Sequence, residues 1–207
     1  MTYDHVLRKI FNLDPTGLLL FPGRFAFPLF AFMIAWNLAQ KDIYAKYIKR
    51  LLPFALLTIP IDIYYYHEQV YLNIMVSFIL SISLLFGLHA SSELKNKFVI
   101  GVFVIYLIIF SAIIGVFVDY GPVGIWLIPA IYLFLKKPSR WTFVLALAIF
   151  PLLMPPTIHF VLIVPFAAAL LLTNPIPSAR RSSFKKTGWL YYAYFPLHRL
   201  IIGLIAQ

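Results

Sequence analysis

The sequence predicts an all-α protein, a polytopic transmembrane helix bundle of about eight membrane segments, on three observations. The chain is 62 % apolar and only 12 % charged, with a mean hydropathy of +0.90, well outside the composition of soluble domains. Apolar runs of bilayer length recur along it, the first at residues 18–38. The basic residues fall mainly in alternate loops between those runs, which is the signature of membrane orientation. A single bundle is enough to hold residues 1–207 as one domain.

Residues 1–17 carry Asp4, His5, Arg8, Lys9 and Asp14 and are too polar and too short to span. The first span, 18–38, holds one ionisable residue, Arg24. A basic loop with Lys41, Lys46, Lys49 and Arg50 follows. The second span is 51–66, interrupted by Pro53 and Pro60. A polar turn at 66–69 leads to the third span at 70–88. Glu93, Lys95 and Lys97 mark the next loop before the fourth span at 98–118. Asp119-Tyr120-Gly121-Pro122 is a turn by residue chemistry. The fifth span, 123–135, ends at Lys136, Lys137 and Arg140. A sixth, 141–154, is stopped by Pro155-Pro156, and a seventh covers 158–172. Residues 173–188, with Arg180, Arg181, Lys185 and Lys186, form an exposed loop before the last span at 189–206.

Loop charge sets the orientation. The loops after the first, third, fifth and seventh spans hold 13 of the 17 basic residues, and the intervening turns carry Glu68 and Asp119 instead. The basic loops are therefore expected in the cytoplasm, with the turns at His67, Asp119 and Pro155 and the C-terminus on the outer side. The net charge of +10 belongs to this asymmetry and not to a nucleic-acid partner. Eight spans would also leave Arg8 and Lys9 outside, so a further helix is expected before residue 1.

Few residues are equipped for chemistry. There are no cysteines, which excludes thiol and disulfide chemistry. The five histidines lack metal-ligand spacing and carboxylates are scarce, so no metal is expected. Arg24 cannot deprotonate and either snorkels to the nearer interface or faces inward to hold an anion. Phe25, Phe27 and Phe30 give it bulk, and Pro28 loosens the backbone below. Asp4-His5 pairs a base with a neighbour, although adjacent residues on a helix need not touch. His198 lies midway along the last span, one turn after Tyr194, beside Arg199 and after Pro196. At that depth it is either a functional group or a packing hydrogen bond between helices. Asn73, Asp119 and Tyr120 lie toward the exterior end, where they join Arg24 or serve as caps. His67, His89 and His159 sit at turns and interfaces and are set aside.

These residues also resemble a known family. Asp4-His5, the block from Gly23 through Arg24, Ala26, Phe27, Pro28 and Phe30, and Tyr47-Ile48-Lys49-Arg50-Leu51 are similar to the TraX family of conjugative-transfer proteins. The likeness continues through Pro60, Asn73, Asp119-Tyr120-Gly121 with Gly124, and Tyr194-Phe195-Pro196-Leu197-His198, in the same order along the whole chain. The resemblance implies an acetyltransferase that moves an acetyl group from acetyl-CoA, as co-substrate, to an amine, the N-terminus of a conjugative pilin. On that reading His5 or His198 is the base, Asp4 orients His5, and Arg24 holds the donor's phosphate or polarises its thioester carbonyl. Tyr194 is then a donor-side hydrogen-bond group, and Asn73, Asp119 and Tyr120 contact the acceptor. Two departures stand out: the apolar stretch that usually precedes Asp-His in the family does not stand before Asp4-His5 here, and Arg199 stands where an apolar residue is more usual. The competing reading is a small membrane transporter or a non-enzymatic assembly subunit of a conjugation or secretion apparatus, to which buried Arg24 and His198 and helix-breaking prolines are equally suited.

Overall fold

The structure, a computed structural model, describes residues 6–7, 10–11, 26–41, 43–66, 72–93, 96–149, 167–168 and 188–205. Among them are seven helices of substantial length: α1 (Ala26–Lys41), α2 (Tyr44–Tyr66), α3 (Ile74–Ser92), α4 (Lys97–Gly115), α5 (Gly121–Lys136), α6 (Arg140–Ile149) and α7 (Gly188–Ile205). They coincide with seven of the eight segments read from the sequence. The remaining one, 158–172, falls outside the described residues except for 167–168. Length and apolarity together mark two of the helices as able to cross a bilayer, over Ile74–Ser91 and Lys97–Gly115.

Local chemistry explains where the helices begin. Asn73 caps α3, its side-chain oxygen accepting from the backbone N–H groups of Met75 and Val76 at 3.1 and 3.4 Å. Asn96 does the same for α4 through Phe98 and Val99. Between α4 and α5 the chain reverses at 116–120, and Tyr120 and Gly121 both take the left-handed conformation, with φ of 65° and 64°. Pro122 then opens α5 in its first turn, where its missing N–H costs nothing. The reversal lies against the entry to α3: the Leu72 N–H donates to the Phe117 carbonyl and the Asp119 N–H to the Leu72 carbonyl, at 2.7 and 3.0 Å.

Helix α5 forms the centre. It packs against α1, α3, α4 and α6, and most of its length, including Leu127, Ile128, Ala130 and Ile131, is buried. Helix α2 leans on α3, and α7 packs on α2. In a bilayer the lipid is as apolar as these side chains, so close packing and interhelical hydrogen bonds hold such helices together. Trp126 Nε1 donating to Ser111 Oγ at 3.0 Å ties α5 to α4 in this way. By contrast α4 is only 17 % buried and presents Phe98, Val102, Ile105, Ile109 and Ile113 outward, the surface of a lipid-facing helix.

Two ends of the bundle differ in chemistry. At one, Tyr44 of α2 meets Tyr132 of α5, hydroxyl to hydroxyl at 3.0 Å, and its ring lies beside His89 of α3. This end also carries Lys41, Lys46, Lys49, Arg50, Lys97, Lys136 and Lys137 at the helix termini. At the far end Phe27 of α1 stacks on Tyr120 and on Phe78 of α3, with ring centroids 4.0 and 5.4 Å apart.

The boundaries correct the sequence reading in two places. Helix α2 starts at Tyr44 instead of 51 and runs unbroken through Pro53 and Pro60. Each proline removes one backbone N–H and leaves the carbonyl four residues earlier without its helical donor, a loss that packed membrane helices tolerate. The basic residues at 46, 49 and 50 extend the helix outward instead of ending it, because lysine and arginine are good helix formers with long stems. Helix α3 begins at Ile74, four residues later than the apolar run, because Asn73 supplies the cap there.

Candidate functional site

The described site residues form two groups. The first gathers at the far end. Asn73 is 2 % exposed, and both ends of its carboxamide are engaged: the oxygen caps α3, and Nδ2 donates to the Ala55 carbonyl of α2 at 3.0 Å. Ser77, one turn on, donates from Oγ to the backbone carbonyl of Asp119 at 2.8 Å. Tyr120 lies over Phe27, and that contact depends on Gly124, where a Cβ would stand 2.7 Å from the Cβ of Tyr120. The structure therefore brings Asn73, Asp119 and Tyr120 together, with Asn73 acting as the bolt between α2 and α3. Asp4, His5 and Arg24 lie outside the described residues.

The second group lies between α7 and α2. His198 is buried, and its Nδ1 is 2.8 Å from the Tyr194 carbonyl one turn earlier. A carbonyl only accepts, so Nδ1 carries the proton and the neutral ring keeps its lone pair on Nε2. The ring is walled on two sides: Tyr194 stacks on it at 5.0 Å and 17°, and Phe195 meets it edge-on at 5.4 Å and 73°. Tyr194 itself remains 53 % exposed.

Next to His198, Arg199 turns toward α2. Its Nε is 2.6 Å from Oδ1 of Asp62, with side chains 4 % and 5 % exposed. The guanidinium carbon also stands over the Phe195 ring at 5.9 Å. Taking two charges out of water is expensive, and only close mutual approach offsets it. Asp62 is the residue that sequence reasoning missed. The available signal was the charge balance, since an aspartate inside one apolar segment and an arginine inside another each need a partner.

Nearer the basic end the same two helices meet through Phe54 and Tyr192, with ring centroids 6.1 Å apart, and Arg50 hydrogen-bonds the Tyr192 hydroxyl. Contacts 54–192 and 62–199 advance together, so α7 runs parallel to α2. Tyr47 lies in the basic stretch before the apolar part of α2. Burial, and after it the neighbouring Tyr192, pushes its phenol up to about 12, against its hydrogen bond with Asn37 and the charge of Arg50. Among the described residues no three His, Asp or Glu side chains gather as a metal ion would require.

Lipid-facing apolar surface on α4, a second apolar helix of bilayer length in α3, and ionisable groups buried between helices define an all-helical membrane protein. Within that class, the chain belongs to the TraX family: the family model, described as TraX protein, matches residues 1–206. Membership points to a role in conjugative transfer. No curated protein and no solved structure matches the chain significantly.

Proposed function

We propose that the protein is a membrane-embedded acetyltransferase, moving an acetyl group from acetyl-CoA to an amine, the N-terminus of a conjugative pilin. The observation that carries the reading, beside family membership, is His198: a buried imidazole held through Nδ1, with its lone pair on Nε2. An amine acetylation needs such a group. The amine nitrogen attacks the thioester carbonyl carbon, the new C–N bond forms, and the C–S bond breaks as the tetrahedral oxyanion collapses. The proton lost by the amine passes to His198 Nε2 and from there to the departing thiolate, which leaves as the free thiol. Arg24, two residues before α1 in sequence, supplies the positive charge for the oxyanion or the donor phosphate. His5, oriented by Asp4, is the alternative base. Tyr194 offers its hydroxyl to the donor, and Asn73, Asp119 and Tyr120 form the acceptor side, with Asn73 acting through the packing of α2 and α3.

Orientation supports the same assignment. With the lysine-rich end in the cytoplasm of the bacterial inner membrane, the far end and the C-terminus face the periplasm, where a processed pilin presents its N-terminus. Acetyl-CoA is cytoplasmic, so the acetyl group crosses between the two ends. The test is transfer of labelled acetyl from acetyl-CoA to a peptide carrying the pilin N-terminus, by the purified protein in vesicles. Label on the peptide, lost in His198→Ala, supports the reading. Failure of the protein to bind acetyl-CoA would point instead to a transporter or an assembly subunit.

A further inference from the structure

We infer that Asp62, acting through Arg199 and Phe195, is a positioning residue for the imidazole of His198. The contacts form one continuous chain across the helix interface. The Asp62 carboxylate holds the Arg199 guanidinium at 2.6 Å. That guanidinium covers the Phe195 ring at 5.9 Å, and Phe195 meets the imidazole edge-on at 5.4 Å. Tyr194 stacks on the imidazole at 5.0 Å, and its carbonyl also receives Nδ1–H.

Helix geometry gives the arrangement its force. His198 and Arg199 follow Phe195 by three and four residues, so each neighbours Phe195 on the surface of α7. Pro196 lies among them and leaves the Tyr192 carbonyl without its helical donor, which loosens α7 one turn before the histidine. A helix loosened there needs a fixed point beyond the break, and the ion pair is that point. It lies on the far side of Pro196 from the Tyr192–Phe54 contact, so α7 is held to α2 both before and after the proline. Asp62 is placed in the same way: Pro60 leaves the Leu56 carbonyl of α2 without its donor two residues earlier, and Thr58 Oγ1 bonds back to the Phe54 carbonyl at 2.7 Å. The pair thus joins two proline-relaxed segments at the height of the histidine. Asp62 has no contact with reacting atoms to make. Its effect is on the orientation of Nε2.

The inference rests on the acetylation reading only for what the oriented ring is used for, and the test separates the two. The full-length protein in detergent is labelled with 15N-histidine, and the His198 signal is identified by its loss in His198→Ala. Wild type is expected to show the tautomer protonated on Nδ1. In Asp62→Leu that signal is expected to give way to a mixture of tautomers, and acetyl transfer to fall in kcat on the order of 10- to 100-fold, with KM for acetyl-CoA unchanged. Asp62→Glu, which keeps the charge, should restore both. Because Asp62→Leu leaves a buried unpaired cation, Asp62→Leu/Arg199→Met is measured alongside; with both charges removed it should accumulate, yet still lose the single tautomer. An unchanged tautomer and full turnover in the double variant would overturn the inference and leave the pair as a packing device. The expected tautomer shift in Asp62→Leu, beside a wild type that transfers no acetyl group, would support positioning and reject the acetyltransferase.

Discussion

Arg199 of α7 and Asp62 of α2 form an ion pair, Nε to Oδ1 at 2.6 Å, buried beside the imidazole of His198. Breaking it from one side strands a charge inside the bundle. Asp62→Leu or Arg199→Met alone is expected to cost about 3–5 kcal/mol, whereas the two together stay near wild type, because a matched apolar pair carries no desolvation penalty. Thermal unfolding in detergent of the three variants measures this. Equal losses in all three would show that the charges contribute nothing as a pair.

Asn73 is a second joint. Asn73→Ala removes a helix cap and the bond to the Ala55 carbonyl, and should lower stability by about 1–2 kcal/mol. Asn73→Asp keeps the capping oxygen but sets a buried carboxylate oxygen against the Ala55 carbonyl, so it should cost at least as much as Asn73→Ala. Acetyl transfer should follow folded protein in both. A loss of transfer in Asn73→Asp beyond its loss of folded protein would instead make this carboxamide a substrate ligand.

Gly124 allows Tyr120 and Phe27 to stack. A Cβ there would stand 2.7 Å from the Cβ of Tyr120 and 3.5 Å from the edge of Phe27. Gly124→Ala should therefore destabilise the far end by roughly 1–3 kcal/mol. The effect is read as a lower unfolding midpoint and as faster hydrogen exchange at 116–124.

Tyr47 gives a pH dependence. Its folded phenol titrates at about 12, above the unfolded value near 10, so the unfolded chain releases its proton first as pH rises. The contribution of Tyr47 to stability is whole below pH about 10 and is lost as pH climbs toward 12. Phenolate absorbance of wild type against Tyr47→Phe should reveal one late-titrating tyrosine. Its absence from the difference would contradict the burial of this hydroxyl.

The helical class and the position of most segments could be read from the sequence, since apolar runs and alternating basic loops are imposed by the bilayer itself. Helix ends were harder. Lys46, Lys49 and Arg50 look like a loop when charge is the guide, but they occupy the first turns of α2. Of the site, His198 and Tyr194 were visible as polar residues one turn apart in an apolar run, and their contact is found. Asn73 was legible as a cap, a role the structure extends to a bond between helices. Asp62 was not legible, because what gives it meaning is a partner 137 positions away that only the packing of α7 on α2 brings near.

The most direct test of the central claim is the intact mass of the conjugative pilin co-expressed with this protein, as wild type and as His198→Ala, His5→Ala and Arg24→Ala. The account predicts a gain of one acetyl group with wild type, confined to the N-terminal amine, and its loss in His198→Ala and Arg24→Ala proteins that still accumulate in the membrane; loss in His5→Ala with transfer kept in His198→Ala would assign the base to His5 instead. A pilin of unaltered mass beside well-expressed wild type would contradict it.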